Sequence, residues 1–133
     1  MPARILLIDD NHDYGDIVSY YLKTAGGYDV EVSLDGREGL AKARSGSWDL
    51  IITDLMLPGH NGYEICALLK QDLRYQKIPV LILTASKLQA KDEQLAKECG
   101  ADDFCQKSLE PRQLAERVRQ LLAAKTPPGS PAA

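Results

Sequence analysis

No run in this sequence approaches the roughly 18 apolar residues that a membrane span requires. Positive charge is also short: 16 Lys and Arg stand against 19 Asp and Glu, a net charge of −3, which argues against a general nucleic-acid or anionic-membrane surface. The start, "MPARILL", lacks the layout of a secretory signal, so a cytoplasmic location is expected. Cysteines are few, and Cys66, Cys99 and Cys105 are odd in number with no C-x-x-C spacing. They read as buried free thiols rather than as a disulfide framework or redox motif. The only histidines, His12 and His60, form no spacing that suits a transition metal, and both read as loop residues.

What remains is an ordinary soluble composition, 44% apolar and 26% charged in 133 residues, the size of one domain. Apolar runs of strand length alternate with segments of helical period. "RILLID" (4–9) precedes a helix over 13–25, stopped by Gly26-Gly27. "YDVEVS" (28–33) precedes 36–45, and "DLIITD" (49–54) precedes 62–72. "PVLILT" (79–84) precedes 88–99, closed by Gly100, and "DDFCQ" (102–106) precedes 111–123, opened by Pro111. Trp48 is placed at the start of the third strand. At about 3.3 Å per residue it lies about 20 Å from Asp54, a weak fluorescence reporter.

Five βα units call for an α/β fold, a five-stranded doubly wound parallel sheet in the order 2-1-3-4-5. The second strand alternates in polarity and is expected at an edge. Residues 1–124 are read as one domain. The tail, "KTPPGSPAA" (125–133), is read as a flexible end or the start of a linker.

The strands deliver polar residues to one rim: Asp9 and Asp10 end the first, Asp54 the third and Thr84 the fourth, while Lys107 follows the fifth. Three carboxylates gathered there repel one another and imply a bound cation. Oxygen ligands with room for water suit Mg²⁺, and with Lys107 the formal charges balance. A carboxylate beside such an ion, an ammonium and a hydroxyl is a competent nucleophile toward phosphorus, and Asp54, followed by an exposed turn, is the best candidate.

The constellation closely resembles the receiver domain (CheY-like) of two-component response regulators. The likeness runs over about residues 4–123 and rests on "DD" at 9–10, "DLMLPGHNG" from 54, "LTA" at 83–85, "GADDF" at 100–104 and Lys107. It implies Asp54 as phosphoacceptor, with Mg²⁺ held by Asp10, by Asp9 through water, by Asp54 and by the backbone carbonyl of Met56. Lys107 would pair with the carboxylate or phosphoryl group and Thr84 would bond a phosphoryl oxygen, with Thr84 and Phe104 as switch residues. The phosphodonor would be a sensor histidine kinase or a histidine phosphotransfer protein, and the domain would catalyse its own phosphorylation and dephosphorylation.

Output would pass to a downstream protein or output domain through the face made by helix 88–99, strand 102–106 and helix 111–123, where Lys91, Glu98, Arg112 and Arg119 stand. A dimer formed on phosphorylation belongs to the same expectation; direct nucleic-acid or membrane contact does not. The ten residues after 123 are too few for a DNA-binding element, so the sequence reads as a stand-alone receiver or one cut from a longer chain. Met56 and Ser86 occupy positions that tune phosphoryl lifetime in this family. One departure is Ser108, where the family has a proline joined by a cis peptide. A cis bond there would cost about 2.5–4 kcal/mol, so a trans bond with a reshaped loop or a strained cis bond is expected.

Three other readings are weaker. A flavodoxin-like carrier needs a hydroxyl- and glycine-rich loop after the first strand, where "DDNHDYGD" presents acids. A metal-dependent phosphatase would share the Asp and Mg²⁺ chemistry but turn over on small esters. A docking-only module has no use for all five polar rim residues.

Overall fold

Five strands and five helices alternate in the computed structural model, which describes residues 2–85 and 89–124. They are β1 (Arg4–Ile8), α1 (His12–Gly26), β2 (Asp29–Ser33), α2 (Gly36–Ser45), β3 (Leu50–Asp54), α3 (Gly62–Lys70), β4 (Val80–Thr84), α4 (Ala90–Cys99), β5 (Asp103–Gln106) and α5 (Pro111–Ala124). Ser86 and the tail from 125 onward lie outside the described residues.

Helix boundaries follow from local chemistry. Asn11 and Asp35 cap α1 and α2 by accepting the N–H groups of Tyr14 (3.1 Å) and Glu38 (2.7 Å), and Asn61 forms a reciprocal capping box with Glu64. Gly27 and Gly100 close α1 and α4 in the left-handed region, at φ 68° and 86°. α3 ends at Lys70, earlier than its apolar period suggests, because the Asp72 carboxylate accepts the N–H of Arg74 at 2.9 Å and bends the chain into a turn. Asp102 stays outside β5 because its carboxylate reaches across to the N–H of Val80 at 2.8 Å.

Trp48 does not begin β3 but precedes it. Its indole N–H donates to the Lys42 carbonyl at 2.9 Å, and the Arg4 guanidinium lies 4.4 Å from the ring centroid. The ring is thus buried against the end of α2 rather than in the ladder.

All strand pairs are parallel, in the order β2-β1-β3-β4-β5. β3 and β4 are buried at every position, whereas in β2 only Val30 and Ser33 are buried, as suits an edge strand. On one face Leu6, Ile8, Ile51 and Ile82 pack with α2, α3 and the end of α4. On the other, Ile5, Leu7, Ile52 and Leu81 pack with α1 and α5. Each such Leu or Ile contributes about 1.5–3 kcal/mol by leaving water. The three cysteines are buried and free. Among the described residues no helix is long and apolar enough to cross a membrane.

Since the winding reverses between β1 and β3, helices leave the two strands toward opposite faces and open a crevice at their carboxyl ends. The β3–α3 loop beside it is held on two sides. A Cβ at Gly62 would stand 2.7 Å from the Asp54 carbonyl oxygen, and one at Gly36 would stand 2.3 Å from the His60 carbonyl oxygen. Only glycine permits both approaches.

Candidate functional site at the carboxyl rim

β1 and β3 are adjacent, so the acids at their ends meet. Asp9, Asp10 and Asp54 each offer a carboxylate oxygen, and these oxygens lie within 4.8 Å of one another. Asp9 is fully buried and Asp54 nearly so, while Asp10 is exposed. Asp9 Oδ1 accepts the N–H of Asn11 at 2.9 Å. Its Oδ2 forms a buried ion pair with Lys107 Nζ at 2.7 Å. Lys107 Nζ also donates to Asp54 Oδ2 at 3.2 Å. The sequence pairs Lys107 with the carboxylate or phosphoryl group at Asp54; of its two carboxylate contacts the shorter is with Asp9.

Burial is the main reason that the Asp54 carboxyl is pushed above its ordinary 3.8. The charge of Asp9 adds to the rise, and Lys107 opposes it. Burial pulls the Lys107 ammonium down, but Asp9 and Asp54 together outweigh it and leave the pKa raised. Three carboxylates against one ammonium leave two uncompensated negative charges. A divalent cation would balance them, and the all-oxygen donor set of Asp9, Asp10 and Asp54 fits a hard ion such as Mg²⁺.

Thr84 ends β4, buried, and its carbonyl accepts the N–H of Lys107 at 2.8 Å, which ties the lysine's backbone to the neighbouring strand. No cis peptide occurs among the described residues, so Lys107–Ser108 is trans, one of the two expected outcomes. Met56 is exposed two residues past Asp54. Phe104 is half-buried, its centroid 6.0 Å from that of Tyr63, and it borders a cleft of about 320 Å³ between α4 and β5.

His12 is the first residue of α1 rather than a loop residue, 3.1 Å from Asp16, because the Asn11 cap starts the helix there. His60 lies in its loop, 3.5 Å from Glu64. Lys91, Glu98, Arg112 and Arg119 are exposed.

Two aromatic residues near the site escaped the sequence reading. The ring of Tyr14 lies under Lys107, with Nζ 4.6 Å from its centroid, and Tyr63 faces Phe104 while its hydroxyl reaches Asp92. Burial first, then the charges of Asp9 and Asp54, pushes the Tyr14 phenol up to about 12. The helical period around Tyr14 gave a hint of its inward side but none of its partner.

Residues 5–119 match the response regulator receiver domain family. The "DNA-binding dual master transcriptional regulator RpaA" of Synechocystis is 44% identical over 122 residues, 92% of this chain and 49% of the relative. The "Alkaline phosphatase synthesis transcriptional regulatory protein PhoP" of Bacillus subtilis is 40% identical over 124 residues, again 92% and 49%. The chain therefore spans about half the length of these curated relatives. The expectation of no nucleic-acid contact finds no support in their names. Among solved structures, chemotaxis protein CheY4 of Vibrio cholerae superposes with a TM-score of 0.84 at 31% identity, over 91% of this chain and 99% of that one.

Proposed function

The chain belongs to the response regulator receiver domain family, and we propose that Asp54 accepts a phosphoryl group from the phosphohistidine of a sensor histidine kinase or a histidine phosphotransfer protein. The observation that carries this reading is the gathering of Asp9, Asp10 and Asp54 within 4.8 Å beside the Lys107 ammonium. In the transfer, an Asp54 oxygen forms a bond to phosphorus as the phosphorus–nitrogen bond breaks, and the electron pair returns to the donor's imidazole. Lys107, already on Asp54, meets the phosphoryl oxygens as charge gathers on them. Asp9, Asp10, Asp54 and the Met56 carbonyl would hold Mg²⁺, which when bound neutralises phosphoryl charge.

The product carries roughly one more negative charge than the carboxylate. Its oxygens draw the Thr84 hydroxyl inward, and Phe104 turns into the space released. This changes the face of α4, β5 and α5, which docks a downstream protein or output domain or forms a dimer. Residues 1–124 act as one unit that catalyses its own phosphorylation and dephosphorylation in the cytoplasm.

Intact mass after incubation with acetyl phosphate tests this reading. One phosphoryl adduct is expected for the wild type with Mg²⁺, and none without the metal or in Asp54→Asn. An adduct persisting in Asp54→Asn would refute the assignment.

A further inference from the structure

Lys107 has to hold a flexible four-carbon chain against Asp54, yet its ion pairs favour the neighbouring acid. The shorter contact, 2.7 Å, is with Asp9, and that with Asp54 is longer at 3.2 Å. Its backbone is anchored to Thr84, but the next residue, Ser108, brings no ring to stiffen the turn. The third support is the face of Tyr14, with the ammonium 4.6 Å from the ring centroid.

That ring is itself well placed. The N–H of Asn11 donates to Asp9 Oδ1, and Asn11 Oδ1 accepts the N–H of Tyr14, so one turn of chain fixes the buried acid and the ring together. The chemistry suits the task. A further carboxylate would hold the ammonium harder but would repel an incoming phosphoryl group, whereas an aromatic face attracts the cation without adding net charge.

We propose that Tyr14 is a positioning residue for phosphoryl acceptance, its ring holding the Lys107 ammonium against Asp54. The inference rests on the reading of Asp54 as phosphoacceptor. Tyr14 touches neither the donor nor phosphorus; it acts through Lys107, so its effect vanishes when the ammonium is gone. It needs the ring and not the hydroxyl, so phenylalanine serves as well.

The test compares initial rates of acetyl phosphate labelling with Mg²⁺, read by intact mass, for the wild type, Tyr14→Phe, Tyr14→Leu, Lys107→Ala and the double variant Tyr14→Leu/Lys107→Ala. Nuclear magnetic resonance of the Lys107 side-chain methylenes supplies a readout that needs no phosphorylation. Expected are ring-shifted methylenes in the wild type and Tyr14→Phe but not in Tyr14→Leu. Labelling should fall about tenfold in Tyr14→Leu, the size of a partly desolvated cation–π contact. It should stay within about twofold in Tyr14→Phe, where the ring face is retained. In the Lys107→Ala background, Tyr14→Leu should change nothing further.

Equal rates for Tyr14→Leu and the wild type, a loss not restored by Tyr14→Phe, or the same loss in the Lys107→Ala background would each overturn the proposal. So would wild-type methylenes without a ring shift. Ring-shifted methylenes in a wild type that takes no label would instead place the failure in the assignment of Asp54, and the proposal would fall with it. Circular dichroism of Tyr14→Leu separates misfolding from misplacement, and Tyr14→Phe keeps the core filled either way.

Discussion

Two lysines are shielded to nearly the same degree, Lys107 with 13% and Lys70 with 16% of the side chain exposed, at opposite ends of the sheet. Lys70 donates to the carbonyls of Gln76 (3.2 Å) and Ile78 (2.8 Å) and to Asp102 Oδ2 (2.8 Å), an acceptor for each ammonium proton. One carboxylate meets one cation, and Asp102 also takes the N–H of Val80. Lys107 faces two carboxylates with a third acid in reach, so one ammonium is shared among three acids. At the amino end of the sheet the charge account is closed, one cation matched to one carboxylate in joining α3 to β4 and the turn before β5. The carboxyl end is left open, with charge and hydrogen-bonding capacity that a ligand can satisfy.

Alanine in place of each lysine should separate the two roles. Lys107→Ala is expected to slow acetyl phosphate labelling by about 100-fold, the effect of removing a preorganised charge from a developing anion. Labelling that survived this change would erase the distinction between the rims. Mg²⁺ should act only at the carboxyl rim. At a hundred times its dissociation constant it raises the unfolding free energy by about 2.7 kcal/mol, and this gain should shrink sharply in Asp54→Asn but persist in Lys70→Ala. Lys70→Ala is expected to lower stability by about 2 kcal/mol in urea unfolding, since a charged donor and three acceptors lose their match. Its folded fraction should label at the wild-type rate.

The smallest effect lies in the titration of the acids. Asp54 should titrate above 3.8 because of burial and Asp9, and Asp72 below it because of the Arg74 hydrogen bonds. Without metal, ionising Asp54 therefore costs stability. That cost is absent below the unfolded pKa and complete above the folded one. Asp72 does the reverse: its stabilisation is full above its unfolded pKa and is lost as pH falls through the folded one. Carboxyl carbon shifts followed against pH would show both midpoints, and a common value would cancel the contrast.

The open rim was the more legible of the two in the sequence. Asp9, Asp54 and Thr84 stand at the ends of largely apolar strands, and a parallel sheet brings all such ends together whatever the side-chain packing. The closed rim depends on where a loop crosses, so nothing in the sequence ties Lys70 to Asp102 across 32 positions. Tyr14 was missed for a related reason: its period assigns a helix side, but contact with Lys107 depends on how α1 is rotated by its Asn11 cap. Trp48 was misread because an aromatic at the head of an apolar run resembles a strand residue, whereas its indole N–H has a partner on α2.

The sheet order also sets a timetable. Lys107 reaches Asp54 across 53 positions, which a ribosome adds in roughly 3 to 10 seconds. During that interval the acids of β1 and β3 exist with no ammonium between them. Lys107 follows β5, an edge strand paired only with β4. Lys107 is therefore the last charged group of the site to be synthesised, and a nascent chain halted before β5 carries the three acids of the site without their lysine.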